Sequence, residues 1–93
     1  MNFSWDPNKV AGNLEKHDLS FEEASTAFGD PRSRGMRDPL HSKDEERFVL
    51  IGQTYSGRLV VVVYTDREET IRLISARIAT SAERRRYEQA YDH

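Results

Sequence analysis

Four valines in a row, Val60 to Val63 inside the stretch LVVVVY, leave this chain few ways to fold. Successive side chains of a strand point to opposite faces, so an unbroken apolar run offers no face to water. It predicts a strand covered on both sides. Hydrophobic residues make up 37% of the chain and charged residues 32%, so the core has to come from a few such runs. Ninety-three residues suffice for one core and not for two, which predicts a single domain over residues 1–93.

The neighbours of the valine run supply a sheet. RFVLIGQTY (47–55) and RLVVVVY (58–64) flank Ser56-Gly57, which reads as a two-residue hairpin. TIRLISAR (70–77) follows the turn TDREE and completes a three-stranded antiparallel meander. With that hairpin, position 49 faces 64 and 47 faces 66. Arg47 and Tyr64 then lie at one end of the sheet, with Ser75 and Arg77 ~20 Å away towards the other.

Upstream, NFSW (2–5) reads as a short strand with Phe3 and Trp5 on one face. Asp6 and Pro7 suit the N-cap and first position of a helix carrying Val10, Ala11 and Leu14, which Gly12 weakens. Ser20 and Glu23 form a capping box for a second helix, with Leu19 and Ala24 as its hydrophobic staple. Gly29, Asp30 and Pro31 end it. Residues 31–46 show no sustained period and read as a long loop with room for one short edge strand near Arg32 to Met36. Thr80 and Glu83 make another capping box, so a last helix begins at about Ser81. The class is α+β, with helices packed on a twisted sheet.

Charge is unevenly spread. The formal net charge is -2, yet residues 1–46 hold 6 basic and 10 acidic side chains while residues 71–93 hold 5 and 3. Nucleic-acid affinity follows local phosphate contacts, so the total does not exclude RNA, although it argues against tight indiscriminate binding. Cysteine is absent, and His17, His41 and His93 match no common zinc spacing, so no structural metal is expected. No apolar segment approaches the ~20 residues that span a bilayer, and the N-terminus has neither a basic lead nor a long apolar centre. The expectation is a soluble cytoplasmic protein.

Several residues carry two readings. Alternation puts Ile71, Leu73, Ser75 and Arg77 on one face that turns polar towards the strand's end. Arg77 there suits a phosphate, or the strand simply emerges into water. Arg84, Arg85 and Arg86 span roughly 200 degrees of helix, at ~100 degrees per residue, and cannot all point one way. They and the rings of Tyr87 and Tyr91 fit an RNA strand, or else Arg84 pairs with Glu88 and the tyrosines pack in the core. Lys16 and His17 end the first helix, where its dipole favours cations; histidine also suits proton transfer near neutral pH. The acids of DEERF could act as a base, pair with Arg47 or face water.

FSWDPNKVAGNLEKHDLSFEEA, EERFVLIG and ISARIATSAERRRYE together resemble the BrnT toxins of bacterial type II toxin-antitoxin pairs, from Phe3 to Tyr87. The resemblance implies a RelE-like fold, with an N-terminal strand and two helices before the meander and a C-terminal helix. It also implies endoribonuclease activity in which the 2'-hydroxyl attacks the neighbouring phosphate, with no metal or other cofactor. The partner it implies is a BrnA-type ribbon-helix-helix antitoxin, through which alone the complex would touch DNA to repress its operon. Lys16 and His17 match the family's KH, Arg47 its first ER, Arg77 its SAR, and Glu83 with Arg84 the ER of the last helix. On this reading Arg77 stabilises the phosphate charge and His17 is general acid or base beside Lys16. Arg47, Tyr64, Ser75, Arg84 and Arg85 position the RNA. A second reading, from the acidic first half and the lack of a compact catalytic set, is an antitoxin-docking module with catalysis weak or lost.

Overall fold

In the computed structural model, which describes residues 1–90, five strands form one sheet in the order β1-β5-β4-β3-β2. They are β1 (Asn2–Trp5), β2 (Arg34–Asp38), β3 (Arg47–Gln53), β4 (Leu59–Arg67) and β5 (Thr70–Ile78). The helices are α1 (Val10–His17), α2 (Phe21–Ser25) and α3 (Ser81–Gln89). The architecture is therefore α+β, with the valine strand β4 in the middle. Leu59 to Val62 are all buried, as an apolar run with no watered face requires.

Two things about the sheet extend the sequence reading. Segment 31–46 holds the edge strand expected there: β2 pairs antiparallel with β3 from Arg34↔Ile51 to Asp38↔Arg47, two residues later than the expected position. The antiparallel part thus has four strands. Second, β1 joins the far edge in parallel, with Phe3 beside Ile71 and Trp5 beside Leu73.

The β3–β4 hairpin is also longer than the two-residue turn expected. Thr54 N–H donates to Arg58 O at 2.8 Å and Gly57 N–H to Thr54 O at 2.9 Å. Three residues, Tyr55 to Gly57, fill the loop, and Gly57 takes φ 87°, which glycine adopts without steric cost. The extra residue moves the register by one, so Phe48 rather than Val49 faces Tyr64. A one-residue slip turns every side chain to the other face. Phe48 and Tyr64 consequently stack, with centroids 5.6 Å apart, on the helix-covered side.

A bulge in β5 makes a further correction. Val63 pairs with Ser75 and Tyr64 with Leu73, which leaves Ile74 as the extra residue of β5. Ile71, Leu73 and Ala76 share the helix-covered face, while Ser75 and Arg77 are turned to the opposite one beside Val63 and Val61. The face does not change from apolar to polar; the strand changes which residues it shows.

Local signals account for the helices. Asp6 Oδ1 accepts from Asn8 N–H, with Pro7 opening a 3-10 turn before α1. Asp18 ends α1 in the left-handed region at φ 52° and returns its N–H to Leu14 O. Asn13 on α1 donates to Leu19 O and accepts the N–H of Ala76, a part of β5 that β1 is too short to reach. Leu19, Phe21, Ala24 and Ala27 fill the core beneath α1, α2 and the 3-10 turn Thr26–Gly29. Trp5 stacks on Phe21, and Phe3, Phe28 and Tyr64 continue as an aromatic row to Phe48.

Only one of the two capping boxes closes on itself. On α3, Thr80 Oγ1 accepts from Glu83 N–H and Glu83 Oε1 from Thr80 N–H. On α2, Ser20 caps Glu23 N–H, but the Glu23 carboxylate turns away to the hairpin. It accepts from Thr54 Oγ1, Ser56 Oγ and both Nε and Nη2 of Arg58. A charge-assisted network outcompetes the local backbone donor.

Candidate active site

Because β1 stops at Trp5↔Leu73, the second half of β5 is left for α1 to lie against, and Asn13 fastens the two. The carboxyl end of α1 therefore sits beside the carboxyl end of β5. Between them is an open cleft of about 530 Å³ lined by Glu15, Lys16, His17, Asp18, Arg77, Ile78 and Thr80. Lys16 is exposed and His17 half-buried. Both occupy the last turn of α1, where unpaired carbonyls favour positive charge. Two acids share the wall, so the cleft is mixed in charge rather than uniformly basic.

Arg77 does not wait empty-handed. Its Nη1 and Nη2 donate to Glu83 Oε1 and Oε2 at 2.7 and 2.8 Å, a bidentate pair, and Nη1 makes a long contact to Ile78 O. The bonds from Arg77 hold the Glu83 carboxyl down to about 2, with the Thr80 N–H assisting against burial. The same pairing raises Arg77. A guanidinium carries five N–H donors, so Nε–H and one Nη2 hydrogen remain for an anion.

The other residues singled out in the sequence are not in this cleft. Arg47 is half-buried, opposite Asp38, with its backbone N–H on Ser42 Oγ. Tyr64 belongs to the aromatic row, where burial first and Asp66 second push its hydroxyl up. Ser75 is exposed and pairs with Val63, next to Tyr64, so it is not at the far end from Tyr64 as the expected register had it. From the row of Arg47 to that of Arg77 is four residues, ~14 Å along the strands instead of ~20 Å. Arg84 and Arg85 are exposed on α3, and no ion pair to Glu88 forms. Tyr87 is buried and donates to Asp30 Oδ2 at 2.6 Å; Tyr91 and His93 lie outside the described residues. The DEERF acids are taken elsewhere: Glu45 by Arg67 and Glu46 by Arg37.

Sequence reading missed the second partner of Glu83, since a capping-box glutamate gives no sign that it also binds an arginine six residues upstream. It also missed a groove of about 370 Å³ on the opposite face of the sheet, under α3. Met36, Val49, Ile51 and Val61 floor it, with Arg34, Glu83, Arg86 and Tyr87 around them. Glu83 thus stands between groove and cleft, lining one and gripping an arginine of the other. The alternation of Arg34 and Met36 would have located this groove, had β2 been recognised over its full length.

Residues 5–83 match the sequence profile of a family described as the ribonuclease toxin, BrnT, of a type II toxin-antitoxin system. The matched stretch takes in Lys16, His17, Arg77 and Glu83 and stops before Arg84. Among curated proteins none matches the chain. Among solved structures, the crystal structure of the Brucella abortus ribonuclease toxin BrnT superposes with a TM-score of 0.62. It is 21% identical, over 87% of this chain and 99% of that one, a likeness of fold.

Proposed function

The chain belongs to the BrnT family of ribonuclease toxins of type II toxin-antitoxin systems, and from that premise we propose that it is an endoribonuclease of RelE-like layout. The observation that carries the mechanism is the convergence of Lys16, His17 and Arg77 on one cleft from chain segments sixty residues apart. His17 takes the proton of a 2'-hydroxyl, the 2'-oxygen attacks the adjacent phosphorus, and the P–O5' bond breaks. The 5'-oxygen recovers a proton and a 2',3'-cyclic phosphate remains. Arg77 and Lys16 stabilise the charge that builds on the phosphorane oxygens. Arg47, Tyr64, Ser75, Arg84 and Arg85, which lie outside the cleft, are assigned to the path of a longer RNA strand.

The nucleophile is the substrate's own hydroxyl, so the route calls for no metal. Among the described residues no three His, Cys, Asp or Glu side chains gather to hold one. No helix is long and apolar enough to cross a membrane. The RNA substrate puts the activity in the cytoplasm. The family implies an antitoxin, which we take to be a BrnA-type ribbon-helix-helix protein that alone contacts operator DNA.

Cleavage of RNA by the purified protein in excess chelator tests the reading. Removing one oxyanion donor costs ~2.7 to 4 kcal/mol, so Arg77→Ala should slow cleavage about a hundredfold or more. A loss below threefold takes Arg77 out of the chemistry. One observation favours a second reading, an antitoxin-docking module of weak activity: Glu83 already takes the Nη1 and Nη2 fork of Arg77 and offsets its charge. No cleavage by a protein that binds its antitoxin tightly would select it.

A further inference from the structure

We propose that the groove under α3 is where the antitoxin docks, and that it receives an acidic amphipathic segment. The proposal rests on the antitoxin partner that family membership implies, not on the nuclease mechanism.

The floor of the groove is aliphatic. Met36 is 68% exposed although it sits in a strand between arginines, and Val49, Ile51 and Val61 beside it give a surface suited to side chains. Methionine adapts its shape to what packs on it. Single-stranded RNA wants aromatic platforms, whereas the ring available here, Tyr87, is buried with its hydroxyl held by Asp30. A protein segment is therefore the better occupant.

The rim determines its charge. Arg37, Arg58, Arg67 and Arg77 each have a carboxylate from this chain. Arg34 on β2 and Arg86 on α3, which both line the groove, have none among the described residues. Guanidinium groups bind carboxylates bidentately, so the two arginines fit glutamates or aspartates flanking an apolar anchor. This is the helix-in-groove mode, with charge at the edges for register and selectivity. The groove lies on the other side of the Arg77–Glu83 pair from the cleft, so a segment seated there need not fill the cleft.

The chain has two methionines, Met1 and Met36, so methyl-labelled methionine yields one reporter in the groove and one outside it. Three probes are titrated: a synthetic helical peptide with leucines on one face and glutamates elsewhere, its twin with lysines, and an uncleavable 2'-O-methyl RNA oligonucleotide. The glutamate peptide should shift Met36 and not Met1, at a Kd at least tenfold lower than its twin's. Arg34→Ala with Arg86→Ala should weaken it at least tenfold, while Arg34→Ala alone leaves RNA cleavage within twofold. Equal or tighter binding of the lysine peptide, a stronger Met36 response to the RNA, or no response to either peptide overturns the proposal. Cleavage is read in a separate assay, so a failed nuclease reading leaves these outcomes interpretable.

Discussion

Replacing Glu23 with glutamine should reveal how much of the fold hangs on one carboxylate. Glu23 on α2 accepts four hydrogen bonds from the β3–β4 hairpin, two of them from Arg58. Those from Arg58 come first, with Ser56 and Thr54 behind, and together they hold the carboxyl at about 2 where 4.5 is usual. At ~1.4 kcal/mol per tenfold, that gap is worth about 3 kcal/mol of preference for the charged form in the folded chain. The Glu23 side chain is only 13% exposed, but Arg58 is 35% exposed and water screens part of the attraction, so about 2 kcal/mol is the expected loss in Glu23→Gln at pH 7. Whichever way the amide turns, its nitrogen would face an N–H of Arg58, donor against donor. The sign with pH follows from a depressed acid: its stabilisation is full above about 4.5 and fades as pH falls towards about 2. Urea unfolding of both proteins at pH 7, 4 and 3 measures the difference, which should shrink with each step down. A difference that stays constant from pH 7 to 3, or one below about 0.5 kcal/mol at pH 7, would refute the reasoning.

Two smaller perturbations test the packing. Gly52→Ala would place a Cβ 2.9 Å from Ala27 O and 3.0 Å from Ser33 Cβ, and the first of these is backbone. Overpacking of that kind costs ~1 to 3 kcal/mol, so thermal unfolding should fall by ~4 °C or more, and an unchanged Tm would contradict the close approach. Tyr87→Phe removes the 2.6 Å bond to Asp30, whose carboxyl burial pushes up and the Tyr87, Gln53 and Arg32 donors more than bring back down. A loss of ~1 to 2 kcal/mol is expected in denaturant unfolding, together with a higher Asp30 carboxyl titration by NMR.

What the sequence disclosed and what it withheld divide by range of interaction. Val60 to Val63 announced a central strand, because two buried faces leave their mark in consecutive residues. Asp6, Ser20 and Thr80 announced helix starts, because a cap bonds to a residue two or three positions away. The bulge at Ile74 depends on how β4 and β5 fit, and no neighbour of Ile74 encodes that. Glu23 was assigned to its own helix, while its stronger partner, Arg58, is 35 residues on. Lys16, His17 and Arg77 were joined in one site only by the family resemblance, since spacing and alternation leave them in separate elements. Their meeting requires β1 to lie parallel to β5 and stop short, a pairing across 68 positions that alternation cannot express.

That parallel pairing bears on how a cell makes such a protein. A strand from the first five residues can find its mate only after the ribosome has polymerised past residue 73. Until then Phe3 and Trp5 have no finished surface to cover them, and α1 has no edge to lean on. A chain that stops before β5 would hold Lys16 and His17 without Arg77, and so without the cleft the three line together. The cleft between α1 and β5 therefore takes shape only once both ends of that pairing have been made.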